Sequence, residues 1–157
     1  MKTPRLYGAG LLVALLLTLA ACGTSGGGTG REMHLYLTAV AYGNGLFVAV
    51  GGGVILTSPD GVSWRAQALP NNSLNGATYG NGTFVVVGGY SGLWSSAGVI
   101  LTSPDGVSWT ARASGTGNYL FGVAYGNGLF VAVGPGGTIL TSLDGVNWTR
   151  QTPPTGN

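Results

Sequence analysis

The chain has 157 residues, of which six are Lys or Arg, four are Asp or Glu, one is His and one is Cys. A lone cysteine excludes an internal disulfide, and a lone histidine, His34, excludes a multi-histidine metal site or a histidine-based triad within one chain. No run of basic residues is present, which argues against a nucleic-acid partner.

In chain order, Lys2 and Arg5 make a basic start and Leu11 to Leu19 an apolar run too short for a comfortable membrane span. That pattern predicts a secretory signal peptide over residues 1–21. It ends in Leu19-Ala20-Ala21-Cys22, which resembles the lipobox of bacterial lipoproteins. The resemblance implies lipidation of the Cys22 thiol, cleavage before it and acylation of the new amine. It also implies a place in the bacterial cell envelope, at the outer membrane or cell surface, with the membrane as a partner through the N-terminal lipid. Gly23 stands where an Asp is that family's usual retention signal, which favours the outer membrane in a cell with two membranes. An ordinary secretory signal with a chance cysteine is the plainer alternative.

Once Lys2 and Arg5 leave with the signal, Arg31, Arg65, Arg112 and Arg150 balance Glu32, Asp60, Asp105 and Asp144, so attachment rests on the lipid and not on charge. Residues 22–33 read as the lipidated Cys and a flexible Gly-rich linker, 34–152 as a folded domain and 153–157 as a tail.

The domain is organised by repetition. Val40 to Gly51 recurs letter for letter as Val123 to Gly134, with a looser copy over Ala77 to Gly88. Val54 to Trp64 recurs unchanged as Val99 to Trp109, and with small changes as Thr138 to Trp148. Three repeats result, with a period of roughly 40 residues, in the range of propeller blades.

Each repeat predicts four short strands, an all-β fold. In the first, Leu37 to Tyr42 leads into Gly43-Asn44-Gly45, and an Asn-Gly pair between apolar runs signals a hairpin because both residues tolerate positive φ. Leu46 to Val50 is the second strand, and Gly51-Gly52-Gly53 turns into a third over Val54 to Thr57. Ser58-Pro59-Asp60-Gly61 predicts a type I turn ending in a left-handed glycine, before a fourth strand over Val62 to Ala66 that carries Trp64. Leu46 to Val50 is apolar without alternation, so both of its faces need cover.

The Ser-Pro-Asp-Gly-Val-Ser-Trp segments resemble the Asp-box of BNR repeats in sialidase-like propellers, with the residue between Asp and Gly missing. The whole repeat is closer to BNR-like blades of bacterial exported proteins and photosystem II assembly factors, over about residues 35 to 151. This implies three four-stranded repeats of propeller-blade type. The alternative is a β-trefoil, whose closed form has three such units, whereas closed propellers typically have four to eight blades.

Asp60, Asp105 and Asp144 sit at the same turn of successive repeats, with Gly61, Gly106 and Gly145 beside them. Carboxylates for acid/base work are one reading. Turn capping is the other, favoured because catalytic pairs need to lie within about 10 Å and blade symmetry spaces these apart. Trp64, Trp109 and Trp148 read as packing between repeats, with sugar platforms as the alternative. The sialidase resemblance implies an arginine triad, a tyrosine nucleophile paired with a glutamate and an acid/base aspartate. Here Arg65, Arg112 and Arg150 each lie just after the Trp of a repeat and Glu32 is the only glutamate, so that site does not map residue by residue. No catalytic residue, metal or cofactor is expected.

Between Gly88 and Gly98 the second repeat carries extra residues that include Tyr90 and Trp94. The blade pattern does not demand these aromatics. They are candidate contacts for a glycan or a protein partner, or they fold back over a sheet edge. Two functions are compatible with these features. One is a membrane-tethered, non-enzymatic interaction or assembly scaffold; the other is a glycan-binding or glycan-active protein. Three blades in a row also leave two uncovered faces, so a homo-oligomer or a partner protein is expected. A trefoil would instead be a monomer.

Overall fold

The computed structural model describes residues 35–93 and 96–155. The signal peptide, Cys22, the linker, His34 and Trp94 lie outside them. Among the described residues the fold is all-β, with strands β1 Leu37–Gly43, β2 Leu46–Ser58, β3 Arg65–Gly80, β4 Thr83–Ser91 and β5 Ser96–Ser103. The chain continues through β6 Thr110–Arg112, β7 Gly122–Gly126, β8 Leu129–Gly134, β9 Thr138–Ser142 and β10 Thr149–Gln151.

Each Asn-Gly pair closes a two-residue hairpin with both residues left-handed. Asn44 and Gly45 have φ of 49° and 74°, Asn81 and Gly82 48° and 73°, and Asn127 and Gly128 50° and 74°. Turns of that hand match the twist of the strands they join. The pairings Gly43 to Leu46, Gly80 to Thr83 and Gly126 to Leu129 follow from them.

Pairing divides the strands into two antiparallel sheets, β1-β2-β3-β4-β5-β6 and β10-β9-β8-β7, although the repeats number three. The first sheet joins two blades because β2 and β3 each serve two neighbours. β2 pairs β1 through Leu46 to Gly51 and β3 through Gly52 to Thr57. Val48 and Thr57 both approach the position a Cβ would take on Gly106, at 3.5 and 3.7 Å, so the halves of β2 lie side by side, with left-handed Gly53 between them. The expected separate strand Val54 to Thr57 is therefore the second half of β2. In the same way β3 pairs β2 through Arg65 to Ala68, with Ser73 also opposite Gly52, and β4 through Asn72 to Gly80, and left-handed Asn71 marks the passage from the first blade to the second.

The fourth strand also differs from expectation. It begins at Arg65, not Val62, and Trp64 belongs to the turn. The cause is local: the Asp60 carboxylate accepts the backbone N–H groups of Val62 and Ser63, so the turn holds these donors before a strand ladder can.

Each blade is one sheet thick, and the apolar cores lie between blades. The first core brings Val48, Val50 and Ile55 of the first blade against Leu74, Phe84, Val86 and Leu101 of the second. The second brings Val85, Val87 and Ile100 of the second blade against Leu120, Phe130, Ala132 and Leu140 of the third. Val86 faces one core while Val85 and Val87 face the other, which is why the second strand of a blade carries no polar alternation. Stacked four-stranded repeats of this kind are propeller blades, and the trefoil alternative is set aside.

Candidate functional site

Three features of the described residues are candidates for function: the aspartate turns, the loop after β4, and a groove on the outer face of the third blade. The turns are built alike. Ser58 Oγ donates to Asp60 Oδ1 (3.0 Å) and accepts from the Gly61 N–H (2.8 Å), while Asp60 Oδ1 accepts from Val62 and Ser63, both at 2.9 Å. Asp105 repeats this with Ser103, Val107 and Ser108, and Asp144 with Ser142, Val146 and Asn147. Asp144 also accepts from Asn147 Nδ2 (2.9 Å).

Gly61, Gly106 and Gly145 have φ of 76°, 79° and 77°, and their carbonyls accept the indole N–H of Trp64, Trp109 and Trp148 at 3.2, 3.1 and 2.8 Å. Trp109 and Trp148 also pack against the first and second inter-blade cores.

The electrostatic consequence is the same in each turn. The backbone N–H of Ser63, then that of Val62, hold the Asp60 carboxyl below the usual carboxylate range. Ser108 and Val107 do so for Asp105. Asn147 and Val146, aided by the Asn147 side chain, lower Asp144 furthest. A carboxylate stabilised in this way is a poor proton donor near neutral pH. The partners of each come from its own turn, and no group of three or more His, Cys, Asp or Glu gathers among the described residues. Arg112 Nε donates to Thr102 Oγ1 (2.9 Å), while Arg65 and Arg150 are exposed on their own blades.

The loop after β4 borders a cleft of about 410 Å³ lined by Asn71, Tyr90, Ser91, Gly92 and Leu93. Tyr90 is half-buried and Leu93 is exposed. The β3–β4 ladder runs as far as Asn72 opposite Tyr90, which brings the left-handed Asn71 beside the loop. Sequence reasoning singled out Tyr90 but missed Asn71. The Pro70-Asn71-Asn72 run is a turn signal that could have found it.

The groove on the third blade has a volume of about 470 Å³ and is lined by Leu129, Thr141, Leu143, Asp144 and Asn147 among others. Sequence reasoning did not locate it.

Fold and turns together define a propeller-blade repeat protein. No family model matches the chain, and no curated protein matches it in sequence. Among solved structures it is similar to YCF48 bound to a D1 peptide, at 17% identity over 74% of this chain and 40% of that one, with a TM-score of 0.58. It is also similar to YCF48 from Cyanidioschyzon merolae, at 21% identity over 74% of this chain and 37% of that one, with a TM-score of 0.56. It is similar as well to a glycosyl hydrolase from Bacteroides ovatus, at 15% identity over 76% of this chain and 49% of that one, with a TM-score of 0.49. The chain thus spans less than half the length of either YCF48 structure, and likeness at these identities shows the β-propeller fold.

Proposed function

We propose that this chain is a lipid-anchored protein of the bacterial cell envelope whose blades act as a non-enzymatic scaffold for a partner protein. The observation that carries the scaffold reading is the commitment of Asp60, Asp105 and Asp144 to their own turns, each accepting two backbone N–H groups. Carboxylates so employed hold the blade edge and are not poised for proton transfer. The YCF48 propeller seen with a D1 peptide supports a protein segment as the ligand class. Leu19-Ala20-Ala21-Cys22 supports the anchor.

A glycan ligand is the second reading, favoured by the cleft beside Tyr90. Metabolic labelling with a palmitate analogue tests the anchor: the wild type is labelled and Cys22→Ser is not, and equal labelling refutes the anchor. A glycan array probed with the chain separates the ligand classes. Binding that disappears in Tyr90→Ala or Trp94→Ala establishes the glycan reading. Hydrolysis of chromogenic glycosides, lost in Asp60→Asn without loss of stability, would overturn the non-enzymatic reading.

A further inference from the structure

The two inter-blade seams are built from the same set of contacts. In each, the tyrosine that ends a blade's first strand stands over a glycine of the preceding blade. Tyr79 lies over Gly43 and Tyr125 over Gly80, so closely that a Cβ on either glycine would collide with the ring. The turn glycine of the later blade meets the second and third strands of the earlier one. Gly106 faces Leu46, Val48 and Thr57, and Gly145 faces Val85 and Thr102. A leucine of the later blade completes the seam, with Leu74 buried in the first core and Leu120 in the second.

The outer faces carry these parts without their partners. On the first blade Tyr42 is 59% exposed, Val40 61% and Leu37 49%. Among the described residues Gly61 meets only Phe47 of its own blade, whereas Gly106 and Gly145 are buried. On the third blade Gly126 has no described residue within 4 Å of its Cβ position. Val133 is 44% exposed, while its counterparts Val50 and Val87 are fully buried. The groove there is lined by Leu129 and Thr141, the counterparts of the Leu46 and Thr57 that receive the Gly106 turn. One outer face thus bears a tyrosine and a turn, and the other an open glycine and a groove.

From this we infer that a second copy of the chain closes the stack, with its first blade seated on the third blade of its partner. Tyr42 lies over the partner's Gly126, and the turn Ser58 to Gly61 fills the partner's groove. The inference goes beyond the scaffold reading and stands without it. Val40 to Gly51 is identical to Val123 to Gly134, so each side of the new seam presents side chains that already serve on that side of an inner seam, where they face the looser copy Ala77 to Gly88. It departs at Phe121, which is 56% exposed where Thr38 and Asn75 donate across the inner seams to the carbonyls of Leu74 and Leu120. Phe121 offers apolar cover there instead of a hydrogen bond.

Two copies make six blades, within the four to eight that close a ring, and three would make nine. A four-stranded face of strands about 4.8 Å apart and some 17 Å long presents about 300 Å². Two seams cover four such faces, about 1,200 Å², the lower end of specific interfaces. A two-fold axis relates the seams.

Gly126 is the position to test, because its φ is not left-handed and a side chain there meets nothing among the described residues of its own chain. Light scattering on the full chain in mild detergent should give twice the mass of one chain, and Gly126→Val should give the single chain with unchanged circular dichroism. A second measurement uses chains carrying one thiol each in a Cys22→Ser background. Tyr42→Cys chains mixed with Gly126→Cys chains should be joined by a short bis-maleimide, and Gly126→Cys chains alone should not. A wild-type monomer, an assembly of three or more copies, a Gly126→Val dimer or cross-linking of Gly126→Cys chains to each other would each overturn the inference.

Discussion

Residues 54–64 and 99–109 are the same eleven letters in two surroundings. Inside each turn nothing changes: Ser58 and Ser103 hold the glycine N–H at 2.8 and 2.7 Å, and Asp60 and Asp105 take the next two donors. Outside the turns almost everything does. Gly106 is buried against the first blade while Gly61 is exposed, and Trp109 packs against a core while Trp64 is 41% exposed. Sequence therefore determines the turn, and the preceding blade determines what the turn is worth to stability. A blade is a half-finished object whose energy lies in the seam it makes.

The sharpest test of that difference uses the phenylalanine of the second strand. Phe84 is buried in the first core, whereas Phe47, its counterpart on the outer blade, is only half-buried. Both pack at a tilt against a tyrosine of their own blade, with centroids 4.7 and 4.6 Å apart, so the local contact is matched and the seam is what differs. Phe84→Ala should cost about 3–5 kcal/mol and Phe47→Ala about half as much. Urea unfolding of the two variants checks this. If a second copy covers the outer face, the gap narrows as chain concentration rises. Equal costs at high dilution would mean that the seams are not where stability resides.

Legibility followed the same division. The three Asn-Gly hairpins were readable because their cause lies in two adjacent residues, and the blade period was readable because the repeats are literal copies. The start of the fourth strand was misplaced by three residues, from Val62 to Arg65, because the Asp60 side chain takes donors that strand propensity assigns to the ladder. The fusion of two blades through β2 and β3 was hidden because Gly51-Gly52-Gly53 and Pro70-Asn71 read as breaks, while pairing runs on beside them. Least legible were the sockets. Gly43 and Gly80 look like hairpin residues, and their need to be glycine comes from Tyr79 and Tyr125 of the next repeat, a contact that no local pattern encodes. At the loop after β4, the surplus residues were visible as a break in symmetry, but Asn71 reaches that cleft only through the register of β3 with β4.

A smaller effect separates the two identical turns. Ala at Gly61 or at Gly106 must hold a left-handed backbone, which costs about 1 kcal/mol in either turn. At Gly106 the added Cβ also meets Leu46 of the first blade, while at Gly61 the nearest atom is Phe47 Cε2 at 3.8 Å. Gly106→Ala should therefore lose about 1–3 kcal/mol more than Gly61→Ala, the usual cost of overpacking. Thermal unfolding of the pair reads the difference directly. Equal losses would show that the Gly106 turn yields its place without cost.

The smallest effect is one the three turns should share, because it arises inside them. Each aspartate has its folded pKa lowered by backbone N–H donors, so the ionised form is favoured in the folded chain. A carboxyl with a depressed folded pKa contributes stability that is fully present above its unfolded value, near 3.8, and is lost as pH falls through the folded value. Stability should thus be flat from neutrality to about pH 5 and fall below about pH 4. Asn keeps an acceptor for the turn but carries no proton to titrate, so Asp60→Asn should be mild at pH 7 and should flatten part of the acid limb. Asp144→Asn should flatten more of it, since Asn147 Nδ2 adds a side-chain donor that the other two turns lack and the shift there is the largest. Midpoints of urea unfolding at pH 7 and pH 3 for the wild type and both variants measure this. An acid limb of unchanged slope in Asp144→Asn would show that acid destabilises the fold elsewhere.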